Sequence, residues 1–178
     1  MRIKFIIGGI LLLILVTLFF LSDSFYINKI PQNEKTENVK NKTYLIENDL
    51  VTLKNGLSEI EIVPGSASKK VTKYFGNDVI GDLNNDNKPD TVFLLTQESG
   101  GSGIFYYVVV MLSSEKGYDG TNAILLGDRI APQTTEIKDG KIVVNYSDRK
   151  VGEPFSVAPS VGVSKYFKIE NKKLTEII

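Results

Sequence analysis

The 178-residue chain contains no cysteine, no histidine and no tryptophan. Without cysteine there are no disulfides, no thiolate nucleophile and no iron–sulfur cluster. Without histidine there is no Ser-His-Asp triad and no imidazole ligand, so the usual zinc sites are excluded. Nor does one sign of charge dominate, because 21 Lys and Arg balance 21 Asp and Glu. That balance argues against a broad nucleic-acid-binding face. What remains is oxygen chemistry, carried by carboxylates, amides, hydroxyls and hard cations.

Long hydrophobic runs are absent except at the start. Phe5 to Leu21 (FIIGGILLLILVTLFFL) is 17 residues without a charge. As a helix it would extend roughly 25 Å, the short end of a membrane span. It has no polar stripe of the kind a soluble surface helix carries. The sequence therefore predicts a signal-anchor or transmembrane helix over residues 1–24, with residues 5–21 in the lipid bilayer. A cleaved signal peptide is the competing reading. Ser22-Asp23-Ser24 offers the small-residue spacing weakly, and cleavage near Ser24 would give a secreted protein. No Cys follows for lipid attachment. Lys29, Lys35 and Lys40 offset Arg2 and Lys4, so positive charge does not set orientation. A short head before a signal-like core stays in the cytoplasm, which places the C-terminal part outside, on a single-pass cell-membrane protein. Residues 25–42 are polar after Ile30 and read as a stalk. Residues 43–178 have the length of a single extracytoplasmic domain.

That domain reads as mainly β, a compact antiparallel sandwich or a partly open barrel. Val51-Thr52-Leu53 runs into Lys54-Asn55-Gly56, an Asn-Gly turn signal. Ser58 to Val63 alternates, with Ile60 and Ile62 on one face. Lys69 to Phe75 fits a strand by its Val and Thr content, although Ala67, Val71, Tyr74 and Phe75 also fit a helix face. Thr91–Thr96 and Ile104–Leu112 are the clearest strands. The second is a run of nine apolar residues, which predicts a central strand buried on both faces. Thr134–Ile137, Asp139-Gly140 and Lys141–Tyr146 signal a hairpin, and Lys165–Glu170 with Leu174–Ile178 a last one. Residues 148–162 contain Pro and no periodicity, which marks a binding loop or a poorly ordered segment.

One segment carries specific chemistry. In Gly81-Asp82-Leu83-Asn84-Asn85-Asp86-Asn87-Lys88-Pro89-Asp90, the residues Asp82, Asn84, Asp86 and Asp90 occupy positions 1, 3, 5 and 9 of a calcium loop. Alternate residues of a tight coil turn inward, so the first three can meet one ion. Lys88, at position 7, would offer its backbone carbonyl. Position 6 needs a residue that tolerates positive φ, and Asn87 is the next choice after Gly. Position 12 is Phe93, so the bidentate Glu of an EF-hand is missing. The expected cofactor is Ca2+ in a weak-to-moderate site. The alternative is an Asx-rich turn with no ion.

Gly81 to Asp90 followed by apolar Thr91 to Leu95 resembles the calcium loop of FG-GAP and VCBS-type repeats. Across roughly residues 50–170, the succession VTLKNG, GSASKKVT, GDLNNDNKPDTVFLL, GGSGIFYYVVV, LLGDR and DGKIVV resembles a family of exported or membrane-anchored bacterial β-domain proteins. The resemblance implies an exported β domain with one cation loop and implies no catalysis.

Other signals are weaker. Ser66-Ala67-Ser68-Lys69 matches the S-x-x-K of penicillin-recognising enzymes, but no Lys-Thr-Gly exists and Ser22-Asp23-Ser24 lies in the wrong place. Glu98, Asp128 and Glu153 are candidates for a glycosidase carboxylate pair, and solvated surface charge is their commoner role. The expectation is a non-enzymatic module that presents residues 98–103 and 148–162 to a cell-envelope protein or glycan. The alternative is a cell-envelope hydrolase using carboxylates or Ser66 and Lys69.

Overall fold

A computed structural model describes residues 38–115 and 117–177. The expected membrane segment, 1–24, and most of the 25–42 stalk lie outside the described residues. Among the described residues, no helix is long and apolar enough to cross a membrane.

The first sheet is built from β1 (Thr43–Ile46), β2 (Asp49–Thr52), β3 (Leu57–Glu61), β4 (Lys69–Gly81), β5 (Asp90–Ser99), β6 (Phe105–Ser114), β7 (Gly117–Gly120) and β8 (Asn122–Asp128). The second contains β9 (Ala131–Lys138), β10 (Lys141–Asp148), β11 (Val161–Glu170) and β12 (Lys173–Ile177). The fold is thus mainly β, as the alternation and turn residues imply.

Strand order in the first sheet is β2-β1-β8-β6-β5-β4-β3, with β7 also paired to β6. The two edge strands, β2 and β3, are consecutive in the chain. They meet at a bridge between Lys54 and Leu57. Asn55 and Gly56 between them have φ of 53° and 81°, the left-handed values an Asn-Gly hairpin turn uses. The sheet therefore curls into a nearly closed barrel. Asp139-Gly140 makes the equivalent turn between β9 and β10, and Asn171-Lys172 between β11 and β12.

β5 and β6 lie at the centre, and both of their faces are buried. Phe93, Leu95, Tyr107, Val109 and Met111 point into the curl of the first sheet. Val92, Leu94, Val108 and Val110 pack with Ile142, Val144, Tyr146 and Phe167 of the second sheet. β-branched and aromatic side chains suit a strand covered on both sides. Phe93 sits between two tyrosines, Tyr44 at 5.4 Å and Tyr74 at 5.6 Å between ring centroids.

Lys69–Gly81 is one long strand rather than a helix, bent by register shifts between Tyr74 and Val79. Gly76 and Asn77 in this bend take positive φ. The packed region also begins upstream of Thr43. Val39 is fully buried, and its carbonyl accepts a hydrogen bond from the Tyr44 hydroxyl at 2.9 Å. Not all pairs are antiparallel, because β1 runs parallel to β8 through Leu45–Asn122 and Ile46–Ala123. Gly120 permits that approach. A Cβ there would stand 2.2 Å from the Thr43 carbonyl oxygen and 2.7 Å from the Tyr44 ring. Residues 148–162 are folded by turns: Val157 N–H donates to Pro154 C=O at 3.0 Å, and Ser160 N–H to Asp148 C=O at 2.8 Å.

Ile60 and Ile62, which alternate on one face, are each 45% exposed.

Gly120→Ala should lose about 1–3 kcal/mol through overpacking against a backbone carbonyl, seen as a lower urea midpoint. Gly101→Ala, with nothing within 4 Å of the added Cβ, should leave the midpoint unchanged.

Candidate metal centre

The 82–90 coil joins β4 to β5, and backbone amides hydrogen-bonded to side-chain oxygens shape it. Asp82 Oδ1 accepts from Asn84 N–H at 3.2 Å and Asp86 N–H at 3.3 Å, while its Oδ2 accepts from Asn87 N–H at 2.9 Å. Asn84 Oδ1 accepts from Asp86 N–H at 3.0 Å, and Asp86 Oδ1 from Lys88 N–H at 2.9 Å. The Asn84 side-chain amide donates to Asp86 Oδ2 at 3.3 Å. Such Asx contacts hold a tight turn by local hydrogen bonds alone. Asn87 has φ of 61°, as its place in the loop requires, and Asn85 has φ of 60° as well.

Asp90 has a different role. It is completely buried at the base of the coil. Its Oδ2 accepts from Leu83 N–H at 3.0 Å and its Oδ1 from Ser113 N–H at 2.8 Å. One carboxylate thereby clasps the start of the coil to the end of β6. The Ser113 hydroxyl adds a bond to Pro89 C=O. Burial raises the Asp90 carboxyl above the usual aspartate range, the two amide bonds oppose this, and the charges of Asp86 and Asp82 add to the rise. Leu83 is the coil's apolar anchor, buried in the core between the sheets.

Asp82, Asn84 and Asp86 therefore share one turn of the coil. Asp90 closes its base, and Lys88 is held through its amide. Among the described residues, no three acidic side chains form a ready-made metal cage. The donor set is nonetheless all oxygen, the chemistry a hard cation takes. Each carboxylate oxygen has two lone pairs, and Asp86 uses one on each of its oxygens.

The remaining candidates are engaged separately. Ser66 Oγ accepts from Ser68 N–H at 3.0 Å, whereas Lys69 Nζ pairs with Glu59 at 2.7 Å. Glu98 pairs with Lys73 at 2.9 Å. Glu153 accepts from Lys150 N–H at 3.0 Å. Asp128 pairs with Arg129 at 2.8 Å and accepts from Ile104 N–H at 2.9 Å. The Arg129 guanidinium stacks on Phe155, 3.8 Å from the ring centroid, and Arg149 donates to the Arg129 carbonyl at 2.9 Å. Sequence reasoning passed over Ser113 and Leu83. Leu83 had a signal, as the only apolar side chain in a polar run. Ser113 lies 23 residues from Asp90 in the chain and had none.

No family model, no curated protein and no solved structure matches the chain.

Asp90→Ala should leave two buried amides without acceptors, at about 1–3 kcal/mol each. Asp86→Ala, at an exposed position, should change stability far less. Urea titrations of both in chelator test this difference. The Arg129 hydrogen bond lowers the Asp128 carboxyl below the usual range. Its contribution to stability is complete above the unfolded aspartate pKa of about 3.9 and is lost as the pH falls through the lower folded value. Asp128→Asn should remove that part of the acid-induced loss, measured as stability against pH.

Proposed function

We propose that this chain is a membrane-tethered extracytoplasmic β module, not an enzyme, whose 82–90 coil holds a structural Ca2+ ion. In this reading residues 5–21 sit in the lipid bilayer, and residues 25–42 carry the domain clear of it. Asp82, Asn84, Asp86 and the Lys88 carbonyl face the ion, and Asp90 closes the coil beneath it. The ion offsets the repulsion among three carboxylates and fixes the angle at which the chain enters β5. Loops 98–103 and 148–162 face a cell-envelope protein or glycan.

The observation that carries the reading is the coil itself. Two left-handed asparagines and a series of Asx bonds hold Asp82, Asn84 and Asp86 in one hydrogen-bonded turn. Burial is the main cause of the raised Asp90 carboxyl, and the charges of Asp86 and Asp82 add a smaller rise, the part that a divalent cation would relieve. The non-enzymatic reading draws support from the separate pairing of Ser66, Lys69, Glu98, Asp128 and Glu153.

Thermal unfolding in chelator and in ~5 mM calcium, within the range of extracellular sites, tests the ion. A bound ion adds RT ln(1 + [L]/Kd), so the midpoint should rise with calcium. Asp82→Ala with Asp86→Ala should abolish the rise, and an unchanged wild-type midpoint rejects the site. Deleting residues 1–24 should move the expressed chain from the membrane pellet to the soluble fraction.

A further inference from the structure

Two turns of this chain share one backbone form and differ in what holds them. Asn55-Gly56 and Asp139-Gly140 are both tight hairpin turns, with φ of 53° and 81° in the first and 50° and 69° in the second. The Asn55 and Asp139 side chains are both exposed. Each turn carries a reactive combination. A side-chain carbonyl carbon, Cγ, precedes the backbone nitrogen of a glycine, and the missing glycine side chain leaves that nitrogen open to approach.

Residues 38–42 lie as a strap across the first turn. Gly56 N–H donates to Lys40 C=O at 2.8 Å, and Asn55 N–H donates to Asn41 Oδ1 at 2.9 Å. Leu53 N–H donates to Lys42 C=O at 2.9 Å. From the other side, Tyr74 N–H donates to Gly56 C=O at 2.8 Å, and a Cβ on Gly56 would stand 3.2 Å from Tyr74 Cβ. The strap is pinned in turn by Val39, which is fully buried and bonded to the Tyr44 hydroxyl. The second turn has no such cover. Among the described residues, no acceptor bonds Gly140 N–H, and nothing beyond its chain neighbours lies within 4 Å of a Cβ placed there.

We propose that Asn55-Gly56 is a gated site of spontaneous backbone modification, closed by the 38–42 strap, and that Asp139-Gly140 is an ungated one. At Asn55 the Gly56 nitrogen attacks Cγ. The N–Cγ bond forms, the Cγ–Nδ2 bond breaks, and the glycine proton leaves with the amide as ammonia. Water then opens the succinimide ring. Opening at Cγ leaves aspartate, and opening at the backbone carbonyl carbon leaves isoaspartate, with the chain routed through the side chain. At Asp139 the same ring closes with loss of water and is reopened by water. Nothing is oxidised or reduced. The attacking nitrogen must give up its proton, and in the folded chain the Gly56 proton is committed to Lys40 C=O. An ionised carboxylate is a poorer electrophile than an amide, so an unfolded Asn-Gly pair reacts before Asp-Gly. The strap inverts that order. Isoaspartate lengthens the backbone by a methylene, so conversion at Asn55 would misalign the corner where β2 and β3 meet.

The test keeps the detergent-solubilised full chain at neutral pH, with and without urea. Peptide mass spectrometry with enzymatic methylation of isoaspartate follows both turns in the same molecule. In urea Asn55 should react before Asp139. Without urea the order should reverse, with Asn55 slowed relative to Asp139 by about ten-fold or more, the protection of a locally closed segment. Val39→Ala thins the buried anchor of the strap, and Asn41→Ala removes the acceptor of Asn55 N–H. Each should speed Asn55 in the folded chain and leave Asp139 unchanged. Amide hydrogen exchange gives a readout free of the chemistry, in which Gly56 N–H should exchange more slowly than Gly140 N–H. Asn55 reacting before Asp139 in the folded chain overturns the proposal. Variants that speed both turns alike, or neither, also overturn it, because the strap then does not set the rate. Equal exchange at the two glycines does the same.

Discussion

The fold depends on the burial of one pair of strands from both sides. β5 and β6 have no face left for water, so their side chains must fill two different layers at once. Odd-numbered Phe93 and Leu95 fill the curl of the first sheet, while even-numbered Val92 and Leu94 fill the space beneath the second. Interiors at native density tolerate little change in volume. The ends of these strands therefore stand at fixed positions. Asp90 opens β5 and Ser113 lies near the end of β6, and their hydrogen bond carries the rigidity of the centre out to the 82–90 coil.

The acids of the coil are held differently from the surface glutamates that pair with lysine. Glu59, Glu98, Glu136, Glu170 and Glu176 each face a lysine. Such exposed pairs add little stability, but they keep the local field small. Asp82 and Asp86 instead face backbone amides. Amide dipoles shape the turn without cancelling its charge.

The fold was legible where the physics is local. The β5 and β6 runs, the Asn55-Gly56 and Asp139-Gly140 turns and the left-handed Asn87 all follow from residues next to one another. β1 is only four residues long and begins just after a polar stretch, so it left no pattern, and β7, Gly117–Gly120, is equally short. Val39 is a single apolar residue among polar ones, and its burial depends on Tyr44 and the first sheet. Ile60 and Ile62 show a further limit of periodicity. Alternation establishes that two side chains share a face, but what lies opposite that face is a tertiary fact. The ligand-type residues of the coil could be read from spacing. The clasp made by Asp90 could not, since its partner Ser113 comes from a different strand.

One side chain joins the two sheets at their margin. The Asn122 amide both donates to and accepts from the backbone of Leu174, at 3.0 Å each way, as a peptide group of a neighbouring strand would. β12 is thus held from two directions, by its hairpin partner β11 and by β8. Chains fold as they are synthesised, N-terminal parts first. Leu174 follows Asn122 by 52 residues, so the first sheet can pair long before the seam is made. Until Leu174 arrives, the seam between the sheets stays open and the apolar underside of the second layer is uncovered.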